Sequence, residues 1–141
     1  MDLTRRDLCR LGLAAAALTA TGLPAWAASD ATMEAVMAFT GGATPEEGGI
    51  DLGAPEIAEN GNTVPVEVSA EGASEIIVFA DGNPNPGVAT FKFGALAASS
   101  AASTRIRLAK TQYVVAVAKM QDGSFRMASR TVKVTIGGCG G

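Results

Sequence analysis

The chain has 141 residues, which is room for one domain with a single core. It contains no histidine, so the usual general base at neutral pH and the commonest metal ligand are both missing, which argues against an enzyme. The net charge of −3 offers no attraction for nucleic acid or for an acidic membrane surface.

The first 27 residues have the three parts of an export signal. They comprise a basic start with twin arginines at Arg5 and Arg6, an apolar run over residues 11–23, and a cleavage site at Ala25-Trp26-Ala27. The apolar run is shorter than the roughly 17 to 20 residues that span a bilayer. The twin-arginine pattern is typical of the route that exports folded proteins. We therefore expect a periplasmic protein that begins at Ala28 and has no membrane anchor after cleavage.

Cleavage after Ala27 changes the cysteine content of the chain. It removes Cys9 and Trp26 from a sequence with two cysteines and one tryptophan, so Cys139 becomes the only cysteine and no tryptophan remains. A single cysteine in an oxidising compartment cannot form an internal disulfide, and it stays available for intermolecular chemistry.

The mature chain is predicted to begin with a short amphipathic helix over residues 30–39. Asp30 is the expected N-cap, Gly41-Gly42 the expected end, and Met33, Val36 and Met37 the expected buried face across one end of the core. Residues 41–62 are rich in Gly, Pro and Glu, and they predict an irregular crossing with at most one short strand near residues 50–52.

From residue 63 onward, apolar and polar residues alternate with the period of β-strands. Pro65 predicts that the first strand lies at a sheet edge, and the nearly continuous apolar run over residues 113–119 predicts a central strand covered on both faces. In the final strand Val132, Val134 and Ile136 are expected to point inward. The predicted strands are residues 64–68, 75–80, 88–93, 103–108, 113–119, 125–129 and 131–136.

Several short strands with turns between them, and no alternating helices, predict an all-β fold, an immunoglobulin-like antiparallel β-sandwich with a short N-terminal helix. The predicted organisation is a signal peptide over residues 1–27, a sandwich domain over residues 28–136, and a flexible glycine-rich arm over residues 137–141.

Cys139 lies in that arm between two glycine pairs, Gly137-Gly138 and Gly140-Gly141. Glycines make the backbone thin and conformationally free, so a thiol there could enter a narrow active site in another protein. Cys139 can stand roughly 10 Å beyond the last strand. No neighbouring side chain could orient or deprotonate the thiol, so the pattern indicates a covalent attachment point and no catalytic residue or metal ligand.

The segment VKVTIGGCGG, residues 132–141, behind a twin-arginine signal resembles the end of SoxY, the sulfur carrier family of bacterial thiosulfate oxidation. The resemblance continues upstream through residues 57–62, Val64-Pro65, residues 88–91 and residues 103–109, so it covers essentially the whole mature chain.

The resemblance implies an immunoglobulin-like fold, a heterodimer with a SoxZ-like subunit, and sulfur intermediates held covalently on Cys139. It implies three partner enzymes: a haem c enzyme that couples thiosulfate to the thiol, a dimanganese hydrolase that releases sulfate, and, as an optional branch, a molybdenum sulfane dehydrogenase. The haem, manganese and molybdenum are expected only in those partners, and the carrier is expected to have no cofactor of its own.

Two other functions fit parts of the sequence. A secreted interaction module that dimerises through a Cys139 disulfide would exist as one stable oxidised species, whereas a carrier would show a mixture of sulfur adducts. A thiol peroxidase or sulfurtransferase with Cys139 as its nucleophile would need a base and a resolving cysteine, which the mature sequence lacks.

Overall fold

The structure is a computed structural model that describes residues 28–136. The predicted signal peptide, residues 1–27, and the predicted arm, residues 137–141, lie outside the described residues. The described elements, in chain order, are α1 (Asp30–Thr40), β1 (Glu46–Glu47), β2 (Asp51–Gly53), β3 (Ile57–Ala58), β4 (Val64–Ser69), β5 (Ala73–Ala80), β6 (Gly87–Lys92), β7 (Ala101–Ile106), β8 (Gln112–Met120) and β9 (Phe125–Val134).

The strands form two sheets that pack face to face. The large sheet has the order β1-β9-β8-β5-β6, with β3 also paired to β9, and the small sheet has the order β2-β4-β7. The longer strands pair antiparallel, whereas the two-residue strands β1 and β3 run parallel to β9. The predicted immunoglobulin-like β-sandwich is confirmed, and the six longer strands occupy the predicted segments.

Strand β8 shows why the sandwich has two apolar layers. Val114, Ala116 and Ala118 face the small sheet in the main core, whereas Val115 and Val117 face the opposite side and pack with Val36 of α1 in a second cluster. All five β8 residues are fully buried. The predicted central strand covered on both faces is therefore confirmed, because the helix covers the outer face of the sheet.

The helix differs from its prediction in its cap and in its buried face. Ser29, in place of Asp30, is the N-cap, since its hydroxyl accepts a hydrogen bond from the backbone N–H of Thr32. Gly41 ends the helix in the left-handed region at φ 68°, as expected of a glycine there. The buried residues are Thr32, Val36 and Thr40, spaced four apart, and Met33 and Met37 remain 36% and 38% exposed.

The helix also lies across a sheet face instead of across one end of the core. Its N-terminus contacts the end of β5, where the Ser29 N–H donates to Asp81 Oδ1 at 2.8 Å. Its last turn contacts the start of β9, where the rings of Phe39 and Phe125 meet edge to face at 5.9 Å. The helix therefore crosses the large sheet diagonally from β5 towards β9. Within residues 28–136, no helix is long and apolar enough to cross a membrane.

Four further predictions about the strands are wrong, among them the inward orientation of Ile136. Residues 41–62 contribute three short strands because each pairs with a longer one, β1 and β3 with β9 and β2 with β4. Strand β4 is the middle strand of the small sheet, although β2 pairs only with its last three residues and leaves Pro65 beyond that contact. Residues 125–129 and 131–134 form one continuous strand, and Ile136 beyond it is 67% exposed.

Candidate functional site

The candidate working group, the Cys139 thiol, lies outside the described residues together with Gly137, Gly138, Gly140 and Gly141. The structure describes the chain up to Ile136, three residues before Cys139, and so it defines where the predicted arm is attached. That attachment is at the end of the sandwich where β8 begins and β5 ends, since Gln112 pairs with Val132 and Ala80 pairs with Val114. We call this end the arm end and the opposite one the far end.

On one side, the last residues of β9 are held by the segment around β3. The N–H of Lys133 donates to the carbonyl of Glu56 at 2.8 Å, and the N–H of Thr135 donates to the carbonyl of Ala58 at 3.0 Å. The N–H of Gly61 then donates to the carbonyl of Ile136 at 2.8 Å. Backbone pairing therefore continues to the last described residue, and the attachment point is fixed on the domain.

On the other side, a side chain takes over where β8 has not yet begun. The Thr111 hydroxyl accepts from the N–H of Val134 at 2.9 Å and donates to the Val134 carbonyl at 3.4 Å. It thus replaces the backbone partner that an extended β8 would have supplied. Thr111 therefore holds one edge of the end of β9, and the segment around β3 holds the opposite edge.

The segment that carries Thr111 is itself fixed by a buried polar network. Asn83 and Gln112 are only 7% and 6% exposed, and the Gln112 Nε2 donates to Asn83 Oδ1 at 3.0 Å and to the Lys110 carbonyl at 2.9 Å. Asn83 Nδ2 donates to the Arg107 carbonyl at 2.7 Å, and the N–H of Ala109 donates to Asn83 Oδ1 at 3.0 Å. Because buried polar groups are costly when unpaired, this network fixes residues 107–112 against the loop at residues 81–86.

Asp81 connects the same loop to the start of α1. Burial alone would raise the pKa of its carboxyl group, but hydrogen bonds from Ser29 and Thr32 and the nearby charge of Lys110 outweigh burial and lower the pKa below 3.8. The ionised carboxylate is therefore the favoured form beside the helix N-terminus, where a negative charge is also stabilised by the helix dipole.

Thr111, Asn83 and Gln112 also determine this site, although the sequence did not predict a role for them. Asn83 lies in a loop rich in Asn, Pro and Gly, and this composition predicts a turn with exposed side chains. The Asn83 side chain is buried instead. Nothing in the sequence around Thr111 and Gln112 indicated their roles, because the partners through which they act, Gly82, Asn83 and Val134, lie 23 to 30 residues away.

The described residues also leave two large apolar side chains exposed near the arm attachment. Ile57 of β3 is 58% exposed and Ile136 is 67% exposed. No group of three or more His, Cys, Asp or Glu side chains within residues 28–136 could hold a metal ion. The arm end is therefore a rigid, partly apolar surface around the attachment of the thiol-bearing segment.

Residues 36–139 match the family described as sulfur oxidation protein SoxY, and the matched region ends at Cys139. The fold is similar to the structure of the sulfur carrier protein SoxY from Chlorobium limicola f thiosulfatophilum, with a TM-score of 0.64 and 39% sequence identity, covering 74% of this chain and 96% of that one. No curated protein matches the chain.

Two more distant structures share the fold. A superoxide reductase (neelaredoxin) from Ignicoccus hospitalis has a TM-score of 0.54 at 19% identity, covering 62% of this chain and 80% of that one. A hypothetical protein from Pyrococcus horikoshii OT3 has a TM-score of 0.53 at 12% identity, covering 63% and 96%. At these identities the likeness concerns the sandwich alone. The family match over most of the chain and the 39% identical carrier structure show that this chain belongs to the SoxY family of sulfur carriers in sulfur oxidation.

Proposed function

We propose that this SoxY-family chain is a periplasmic carrier that binds thiosulfate-derived sulfur covalently on Cys139 and presents it to partner enzymes. The observation that carries the proposal is the family match that extends to Cys139, the only cysteine left once the predicted signal peptide is removed. The twin-arginine pattern at Arg5 and Arg6 supports the periplasmic location.

The loading step requires an oxidant. The Cys139 thiol and the sulfane sulfur of thiosulfate form a sulfur–sulfur bond, giving Cys–S–S–SO₃⁻, and they release one proton and two electrons. A haem c partner enzyme accepts the two electrons. An unperturbed thiol has a pKa near 8.5, so only a small fraction is thiolate at neutral pH, and activation of the thiol falls to that partner.

The release step is a hydrolysis and needs no oxidant. Water attacks the terminal sulfur of Cys–S–S–SO₃⁻, and the bond between the two outer sulfur atoms breaks. Sulfate and two protons are released, and a persulfide, Cys–S–S⁻, remains on Cys139. We assign this step to a dimanganese hydrolase. A molybdenum sulfane dehydrogenase is the proposed optional partner that oxidises the remaining sulfane sulfur.

We further propose that the carrier is not itself an enzyme and has no cofactor of its own. The lack of histidine supports this, since the chain has no usual base to activate the thiol at neutral pH. Haem, manganese and molybdenum belong to the partners. A SoxZ-like subunit is the proposed stable partner in a heterodimer, and the exposed faces and edges of the sandwich offer the surface for it.

Mass spectrometry of Cys139 tests the carrier function. After incubation with thiosulfate and the haem c partner, the wild-type heterodimer should gain the mass of the thiosulfonate adduct, and Cys139→Ser should gain none, because a hydroxyl cannot form or exchange sulfur–sulfur bonds. Cys139→Ser should retain the fold and the SoxZ-like subunit. One uniform disulfide-linked dimer that no partner enzyme converts would contradict the carrier proposal and support an interaction module.

A further inference from the structure

The covalent distance from the domain to Cys139 limits where a loading enzyme can lie. Cys139 is the third residue after Ile136, so its backbone can never be more than about 11 Å from that of Ile136. Ile136 is fixed to the domain by its hydrogen bond from Gly61. An enzyme site is concave and surrounded by its own side chains, so the rim of any site that receives this thiol must contact the arm end.

The diagonal course of α1 leaves one part of the arm end uncovered. The helix lies near β5 at the arm end and reaches β9 only at the far end. The register places Ile57 beside Lys133, and Tyr113 beside Thr131, on the outer face of the large sheet that the helix covers further along at Val115 and Met127. We call this surface, together with Ile136 two residues beyond the end of β9, the uncovered corner.

The uncovered corner is apolar at its margins and rigid. Ile57 and Ile136 are more than half exposed, and Tyr113 is 36% exposed. Both isoleucines lie on backbone that is hydrogen-bonded on the domain, so docking there orders little chain. Burying large aliphatic side chains in such positions against a partner removes them from water and stabilises the complex.

Resting on the proposed carrier function, we propose that the uncovered corner is the docking surface for the apolar rim around the active-site entrance of the enzyme that couples thiosulfate to Cys139. The rim packs against Ile57 and Ile136 while the arm extends into the site. The affinity of the enzyme for the carrier then comes from the domain surface, and the arm itself needs no side chains beyond the thiol.

The test uses the full mature carrier with its SoxZ-like subunit and the thiosulfate-coupling haem c enzyme. Ile57→Ser and Ile136→Ser are each compared with Leu96→Ser, a matched control in the β6–β7 loop at the far end, where the leucine is fully exposed. The measured quantities are KM and kcat for the carrier, the rate of Cys139 alkylation by iodoacetamide, and subunit binding.

We expect each isoleucine variant to raise KM roughly fivefold or more while kcat and the alkylation rate stay unchanged. Leu96→Ser should match the wild type. The docking inference is overturned if KM is unchanged in both isoleucine variants, if Leu96→Ser raises it equally, or if the isoleucine variants lose the SoxZ-like subunit, since the corner would then be the subunit interface. If the wild type takes up no sulfur, the carrier function and the docking inference fail together.

Discussion

Asn83 connects the loop at residues 81–86 to residues 107–112 at the arm end, and Asn83→Ala is the sharpest test of how that end is held together. The substitution removes the partners of the Ala109 N–H, the Arg107 carbonyl and one amide hydrogen of Gln112. A buried polar group that loses its partner costs about 1–3 kcal/mol. Because Asn83 lies close to the surface at 7% exposure, water can replace part of what is lost. We expect the free energy of unfolding to fall by about 2–3 kcal/mol in total.

Urea unfolding of the mature chain, followed by far-ultraviolet circular dichroism, measures this loss, with the slope against urea unchanged. Asn85→Ala is the matched control, because Asn85 lies in the same loop and is exposed. It should change stability by less than about 0.5 kcal/mol. Equal losses in both variants, or a loss below about 0.5 kcal/mol for Asn83→Ala, would show that the network does not hold the arm end.

Three further predictions concern export, the arm and pH. Cleavage after Ala27 should give a purified periplasmic protein without tryptophan fluorescence, and emission from Trp26 would refute that cleavage site. Replacing both Gly138 and Gly140 with Val should slow enzymatic loading far more than alkylation by a small reagent, because β-branched residues stiffen and widen the arm; equal effects on the two rates would make the glycines a passive tail. Since the folded pKa of Asp81 is lowered, its ionised form stabilises the fold above the ordinary pKa of 3.8, and this contribution is lost as pH falls through the folded pKa. The stability difference between wild type and Asp81→Asn should therefore be full at neutral pH and shrink below pH 3.8, and a constant difference in urea unfolding would disprove the role of the charge.

The local order of apolar and polar residues was enough to predict the strands whose buried faces can be read directly from it. The alternating residues of β4 and β7 predicted two strands that each bury one face, and the apolar run in β8 predicted a strand covered on both sides. The isolated thiol among glycines, with its upstream matches, was also enough to indicate the SoxY family, which the comparisons confirm. The role of Cys139 itself stays a prediction.

Only tertiary structure decided the features that depend on partners far along the chain. Ser29 caps the helix, and Asp81, 52 residues away, accepts its N–H. The short strands β1 and β3 exist because β9 offers them an edge, although the Gly and Pro residues around them predict irregular chain.

The arm end shows the same division between sequence and structure. Sequence alone determined that a thiol lies three residues beyond Ile136, because covalent spacing is a local property. Tertiary structure decided that Ile136 is exposed, because β9 ends at Val134 and the chain then leaves the core. It also decided that Thr111 and Gly61 hold this point from two sides, since hydrogen bonds between distant segments leave no periodic signal in a sequence.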